Sequence, residues 1–248
     1  MNTNAGTAPE RQPHISDDLR SRQRKAMKIE RLLDLAHRPQ PLRMLEVGTG
    51  SGGIASYFGQ HPTLACEVTA VDVRDIRVTT DGFRFERVEG TRLPFADGAF
   101  DVVISNHVIE HVGLAGDQKH HLAELRRVMA DGGVGYLAVP NRWMLVEPHY
   151  RIAFLSWLPR RWRSRYLALR GKGTFYDCEP LTLAEIEGML AETGFAYENI
   201  GVPAIRATLD IEGSRGLLGS VLRRVPDRAL AMLAPAAPTL IYRLRKGR

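Results

Sequence analysis

The chain has 248 residues, 44% of them apolar and 25% charged, and a formal net charge of +6. That balance suits one folded α/β domain with a buried core and excludes a wholly disordered or fibrous chain; the mild positive charge permits an anionic partner without requiring one. Cys66 and Cys178 lie far apart without metal-type spacing, so neither a disulfide framework nor a metal site is expected.

Two cysteines used in this way fit a reducing, cytoplasmic setting. The opening residues carry no apolar leader segment, so no secretory signal is expected, and no run of 18 uncharged apolar residues is present to span a membrane. Residues 1–14 are polar, with Pro9 and Pro13, and are expected to be disordered; 15–248 form a single domain. From about Ser16 to His37, Leu19, Ile29, Leu32, Leu33 and Ala36 recur at helical spacing. The basic run from Arg20 to Lys28 is expected to be that helix's solvated face. Arg38-Pro39-Gln40-Pro41 ends it, because proline and its predecessor resist helical geometry.

Short apolar, β-branched runs follow at Met44–Val47, Val68–Val73, Phe83–Val88, Val102–Ser105 and Val134–Val139. Between the last two, the spacing predicts a helix capped by Asp117 and stopped at Gly132, with Leu122, Leu125, Val128 and Met129 on one face. Strands without alternation, such as Asp101–Ser105, imply burial on both faces, as in a parallel sheet. The rhythm breaks over 141–180, which holds all three tryptophans (Trp143, Trp157 and Trp162). Thr182-Leu183-Ala184-Glu185 reads as a capping box for a helix ending at Gly194. Phe195–Val202 is expected to be a strand, 212–236 a second irregular, partly helical segment, and Thr239–Leu244 a final strand. The pattern predicts a doubly wound α/β fold that binds ligands at the strands' carboxyl ends.

The stretch Met44 to Gly53 ends an apolar strand in Glu46 and a cluster of glycines before Ile54–Phe58. Glycine permits positive φ and lets a ligand approach the backbone closely, and free N–H groups at a helix start favour polar or anionic groups. Gly48-x-Gly50-x-x-Gly53 fits a dinucleotide fingerprint, and Asp72 ends the next strand where a ribose-binding acid belongs. A carboxylate there serves NAD or an adenosyl cofactor equally well, so an NAD-dependent oxidoreductase stays open at this point.

Farther on, Leu93-Pro94-Phe95 and Phe100-Asp101-Val102-Val103 lead into Asn106-His107-Val108-Ile109-Glu110-His111. With these motifs the chain resembles class I S-adenosylmethionine-dependent methyltransferases, closely over about 42–140 and more loosely over 182–202. The resemblance implies a Rossmann-like methyltransferase fold: a mainly parallel seven-stranded sheet, an antiparallel last strand and a partly helical insertion or lid. It implies S-adenosylmethionine as cofactor. Glu46, Gly48, Gly50 and Gly52 would surround the methionine portion, Asp72 would hold the ribose, and Val73 would lie on the adenine. Glu89 stands where the family has an aspartate near the adenine amino group; Gly90 and Thr91 would complete that wall, with Asn106 and His107 as the floor near the methyl group.

The resemblance also places the acceptor near the N-terminal helix and the segments after the later strands, 141–180 and 212–236. His149 follows the fifth strand and titrates near neutrality, so it is the first candidate for a base, with His111 behind it. Between Arg142 and Lys172 stand eight basic residues and one acid, Glu147, interleaved with aromatics. That mixture suits a lipid-linked or small-molecule acceptor, or a peripheral contact with a membrane surface, and equally a lid packed on the core. Nucleic acid is not the expected partner, although a non-catalytic cofactor-binding module with a basic RNA- or membrane-binding face would carry the same segment.

Overall fold

A series of apolar strands sets the architecture seen in a computed structural model, which describes residues 18–213 and 217–247. In its first half the chain forms α1 (Leu19–Leu33), β1 (Leu42–Val47), α2 (Gly53–Gly59), β2 (Cys66–Asp72), β3 (Phe83–Arg87), β4 (Phe100–Asn106), α3 (Ala115–Val128) and β5 (Met129–Pro140). A small insertion follows, with β6 (Val146–Glu147), β7 (Ile152–Ala153) and α4 (Arg160–Leu169). The chain then closes with α5 (Leu183–Glu192), β8 (Phe195–Asn199), α6 (Gly201–Ile211), α7 (Leu217–Arg224), α8 (Asp227–Met232) and β9 (Thr239–Lys246). The expected disorder of 1–14 lies outside the described residues.

Seven strands form one sheet in the order β3-β2-β1-β4-β5-β9-β8. β1 to β5 pair in parallel, and β9 runs antiparallel between β5 and β8. This is the doubly wound sheet with an antiparallel last strand that the sequence implies. The order reverses between β1 and β4, so the crevice above their carboxyl ends is where such a sheet takes a ligand.

Alternating side chains sort the core into two layers. Met44, Val102, Ile104 and Tyr136 pack with Ile29 of α1, Phe58 of α2 and Ala204 of α6. Leu45, Val103, Leu137 and Val139 pack on the other face, with Leu122 and Leu125 of α3 and Leu190 of α5. Each fully buried aliphatic side chain contributes about 1.5–3 kcal/mol, so both faces drive the fold. At the rim, Arg43 of β1 grips Asp101 of β4 through two hydrogen bonds of 2.9 and 2.7 Å.

Three local expectations are corrected. Asp117 does not cap α3 from outside: the helix begins at Ala115, and the Asp117 carboxylate accepts the Leu114 N–H at 3.0 Å from within the first turn. Gly113 before it takes φ +142°, and a Cβ there would come within 2.2 Å of that carboxylate. Gly132 is not a helix stop, because α3 ends at Val128 and Met129 turns straight into β5, which contains Gly132. The strand expected to reach Val202 stops at Asn199, whose Oδ1 accepts the Gly201 N–H at 3.0 Å and starts α6.

The 141–180 segment builds its own small core from Ile152, Leu155, Leu167, Tyr176 and Cys178. Arg163, one of its basic residues, is buried: it donates to the Leu158 carbonyl at 2.9 Å and pairs with Glu179 at 3.1 Å. Within 212–236, α7 and α8 are held by Arg206 of α6, which donates to the Leu222 carbonyl and to Asp227. Among the described residues no helix is long and apolar enough to cross a membrane.

Candidate active site

The glycine stretch after β1 folds into a tight turn. Gly48, Gly50 and Gly52 take φ values of +76°, +54° and +81°, which L side chains rarely adopt. A Cβ on Gly48 would lie 2.3 Å from the Val108 side chain, so only glycine lets the loops after β1 and β4 approach this closely. Glu46 braces the turn from beneath: its Oε2 accepts from the Thr49 hydroxyl at 2.8 Å and from the Ala55 N–H at 3.0 Å. Burial pushes the Glu46 carboxyl up to about 7, against the opposing pull of those two hydrogen bonds and of Arg22.

That shift has a consequence for stability. Between pH 4.5 and 7 the native state binds a Glu46 proton more tightly than the unfolded chain does. This contribution is therefore fully present below pH 4.5 and is lost as pH rises through 7. The whole effect is about 3 kcal/mol at 1.36 kcal/mol per pH unit. Glu46→Gln keeps an acceptor for both donors and removes the buried charge, so it is expected to be the more stable protein at pH 8 and near parity at pH 4.5. Urea unfolding of both proteins at the two pH values measures this; a constant difference across the range would contradict it.

Above the turn lies a cavity of about 590 Å³, open at the carboxyl ends of β1, β2 and β4. Asp72 ends β2 at its edge; one carboxylate oxygen accepts the Gly50 N–H at 2.9 Å and the other accepts the Arg74 N–H at 3.3 Å. Gly48, Gly50, Asp72, Val73, Gly90 and Thr91 line this side. Asn106 and His107 line the side toward β4 and β5, together with His111 and His149. Three expected residues stand outside the lining. Glu46 lies under the turn, Glu89 is exposed to solvent, and a Cβ on Gly52 would instead meet the Thr79 carbonyl at 2.5 Å and the Phe83 ring at 3.0 Å.

The cavity also takes residues that sequence reasoning missed, chiefly Arg22 and Lys25 from α1. The basic run is thus only partly a solvated face: Arg20 and Arg24 are exposed, while Arg22 and Lys25 turn inward. Their positions relative to the buried Ala26 and Ile29 follow the i, i+3, i+4, i+7 rule, a signal that was available in the sequence. Arg22 Nε is buried without a hydrogen-bond partner among the described residues. Burial, with Lys28 and Arg22 nearby, lowers the Lys25 ammonium to about 8. His121 is a further unexpected wall residue; burial drops it to about 4, and its Nε2 lies 3.1 Å from Ser105 Oγ, so it stays neutral.

The β5 side carries the groups suited to moving a proton. His149 Nδ1 lies 2.6 Å from Oε1 of the buried Glu147, whose Oε2 accepts the Tyr150 N–H at 2.7 Å. Burial pulls the His149 pKa down, but the Glu147 hydrogen bond and the fields of Glu147, Glu110 and Asp177 outweigh it, so the net shift is upward. The His111 and His149 rings meet edge to face at 5.2 Å. Both face the buried thiol of Cys178, at 3.7 and 3.8 Å from its sulfur. His107 sits in the left-handed region at φ +58°, where its N–H is fixed by the Ala138 carbonyl at 2.9 Å.

Sheet order, glycine turn and acidic strand end together define an α/β enzyme that binds a nucleotide-type cofactor. Comparison with known proteins makes this specific. The family described as "Methyltransferase domain" matches residues 45–137. A probable S-adenosylmethionine-dependent methyltransferase of Mycolicibacterium smegmatis is 34% identical over 207 residues, covering 79% of this chain and 68% of its own. A malonyl-[acyl-carrier protein] O-methyltransferase of Geobacter sulfurreducens is 32% identical over 150 residues, which are 55% of this chain and 54% of that protein. Among solved structures, an S-adenosylmethionine-dependent methyltransferase from Mesorhizobium loti superposes with a TM-score of 0.56 over 88% of this chain and 98% of its own, at 16% identity, a likeness of fold.

The chain belongs to the class I S-adenosylmethionine-dependent methyltransferases, and S-adenosylmethionine is its cofactor. This membership displaces the readings as an NAD-dependent oxidoreductase and as a non-catalytic module. The cavity suits that cofactor: it offers an acid at the β2 end, a glycine cradle, and two buried polar atoms without a hydrogen-bond partner among the described residues, Arg22 Nε and Asn106 Oδ1.

Proposed function

We propose that the protein methylates an oxygen atom of a small or lipid-linked acceptor, with His149 as the base. The observation that carries this reading is the His149–Glu147 pair, which places an imidazole of raised pKa, held by a buried carboxylate, on the cavity wall after β5. S-adenosylmethionine supplies a methyl group on a sulfonium, whose C–S bond breaks with its electron pair left on sulfur as the new C–O bond forms. The residues of the chain need only align the acceptor and take its proton, since alignment removes much of the barrier. His149 takes that proton, and Glu147 stabilises the imidazolium formed.

At the other end of the cavity, Asp72 is the ribose acid, with Gly48 and Gly50 beside the methionine portion. Val73, Gly90 and Thr91 form the adenine wall, and Asn106 and His107 the floor. Arg22, with Lys25 behind it, meets the carboxylate of the methionine portion. Arg22→Ala is expected to raise the Kd for S-adenosylhomocysteine about tenfold or more, the effect of one charge-assisted hydrogen bond. Isothermal titration measures it.

Oxygen as the accepting atom is supported by the Geobacter relative, which is named as an O-methyltransferase. A hydrophobic or lipid-linked acceptor is supported by the segment that carries His149. On it, Trp143 and Trp157 stack edge to face at 5.6 Å, Phe154 joins Trp157 at 5.1 Å, and all three rings are exposed beside Leu145 and Val146. The same patch, flanked by the arginines of 142–172, is the peripheral membrane contact in this reading. Transfer of a labelled methyl group to candidate hydroxyl acceptors, with and without a lipid tail, tests the reaction. Sedimentation with anionic liposomes tests the patch, and an unchanged supernatant would count against membrane contact.

A further inference from the structure

We propose that His111, His149 and Cys178 form a binding site for a zinc-type divalent cation on the acceptor side of the cavity. The inference rests on the reading of that side as the acceptor site only for what the cation would do there. One ligand atom from each residue lies within 4.8 Å of the other two. His111 Nδ1 is 3.7 Å from the Cys178 sulfur and His149 Nδ1 is 3.8 Å from it. A tetrahedral zinc ion with bonds of about 2.3 Å to sulfur and 2.0–2.1 Å to nitrogen holds such atoms about 3.6 Å apart. The sulfur–nitrogen separations therefore need to close by only one or two tenths of an ångström. Two imidazoles and a thiolate are the donors that select zinc and its neighbours over magnesium or calcium.

The surroundings point the same way. Glu110 is fully buried, and its Oε1 lies 3.4 Å from His107 Nδ1. Its Oε1 lies 3.9 Å from His111 Nε2, on the nitrogen not facing Cys178. At that distance the carboxylate adds negative charge beside the imidazole without a hydrogen bond to it. Glu147 stands 2.6 Å from His149 Nδ1, so a cation there would replace the proton shared between them and keep that carboxylate as counter-charge. A divalent ion would add positive charge beside a buried thiol ringed by Glu110, Glu147 and Asp177.

The donors come from three separate places: the loop after β4, the loop after β6 and the irregular run that closes the 141–180 segment. A bound cation would tie that segment to the sheet. Both histidines line the cavity, while Cys178 lies behind them. A cation on His149 Nδ1 leaves the proton on the ring's other nitrogen, so the cation-bound form is an alternative to proton transfer to His149 and not a part of it.

The test is a titration of the chelator-treated full-length protein with cobalt(II), competed by zinc. The expected result is one equivalent bound, with a thiolate-to-cobalt band in the near ultraviolet that zinc abolishes. Cys178→Ser is expected to lose that band and bind at least tenfold more weakly, His111→Asn to bind at least tenfold more weakly, and Cys66→Ser to match the wild type. Absence of the band in the wild type, or its persistence in Cys178→Ser, overturns the proposal; if Cys178→Ser does not fold, His111→Asn decides. S-adenosylhomocysteine titrated into the same metal-free protein separates the two readings, because normal binding there with no cobalt uptake leaves the methyltransferase assignment intact.

Discussion

Asp72→Ala is expected to raise the Kd for S-adenosylhomocysteine by 100-fold or more. The carboxylate stands at the end of β2, beside the switch in strand order, where it faces the cavity and accepts two backbone N–H groups, from Gly50 and Arg74. Each carboxylate oxygen has a further lone pair for a ribose hydroxyl. Hydrogen bonds to a charged acceptor are worth about 1.5–3 kcal/mol each, so losing two costs roughly 3–6 kcal/mol. That range corresponds to a factor of 100 at its low end, at 1.4 kcal/mol per decade.

The same substitution frees the Gly50 N–H and loosens the turn that Gly48 and Gly50 build, so part of the loss acts through the turn. Asp72→Asn separates the two parts. It keeps an acceptor for Gly50 but loses one of the oxygens that the ribose uses, and its Kd is expected to fall between those of the wild type and the alanine variant. Calorimetric titration of the three proteins, with circular dichroism to confirm folding, measures both steps. An alanine variant binding within threefold of the wild type would remove Asp72 from the cofactor site.

The glycine side of the cavity was legible because its residues are local in sequence. Gly48, Gly50 and Asp72 lie at the ends of two neighbouring parallel strands, so strand pattern and glycine spacing suffice to bring them together. Glu46 was read as part of the same wall, yet its side chain points beneath the turn. A strand's alternation decides which face a residue takes, but not which side of the following loop a ligand occupies. The Gly132 boundary slipped because a helix can run directly into a strand when the residue after it turns extended, as Met129 does, with no glycine required.

The histidine side of the cavity was harder to read. His149 was singled out because it follows the fifth strand, and it lines the cavity, but its partner Glu147 and its neighbour Cys178 are set by the fold of an insertion with no repeating pattern. Cys178 is 67 residues from His111 in the chain and 3.7 Å from it in space. Spacing rules detect ligands that share a turn or a hairpin, and they pass over donors assembled from three loops. Arg22 and Lys25 were hidden differently: a run of like charges suggested solvent, and only the phase of the helix relative to Ala26 and Ile29 shows that two of them turn inward.

His149→Ala is expected to lower kcat by 100-fold or more while leaving S-adenosylhomocysteine affinity within about twofold, because the imidazole lines the β5 side, across β1 and β4 from Asp72. A positioned base contributes about 10²- to 10⁴-fold. Only the neutral imidazole can accept a proton, so the rate must rise with pH through the His149 pKa, which lies above 6.5 because Glu147 and the nearby carboxylates outweigh burial. Glu147→Gln removes the largest of these upward influences. Its acid limb is therefore expected to move to lower pH, with a reduced plateau because the imidazolium formed in the step loses its counter-charge. A structural role for Glu147 alone would lower the rate at every pH without moving the limb. Single-turnover methyl transfer measured from pH 5.5 to 9 distinguishes these outcomes, and an unshifted limb in Glu147→Gln with full activity in His149→Ala would take the proton transfer away from this pair.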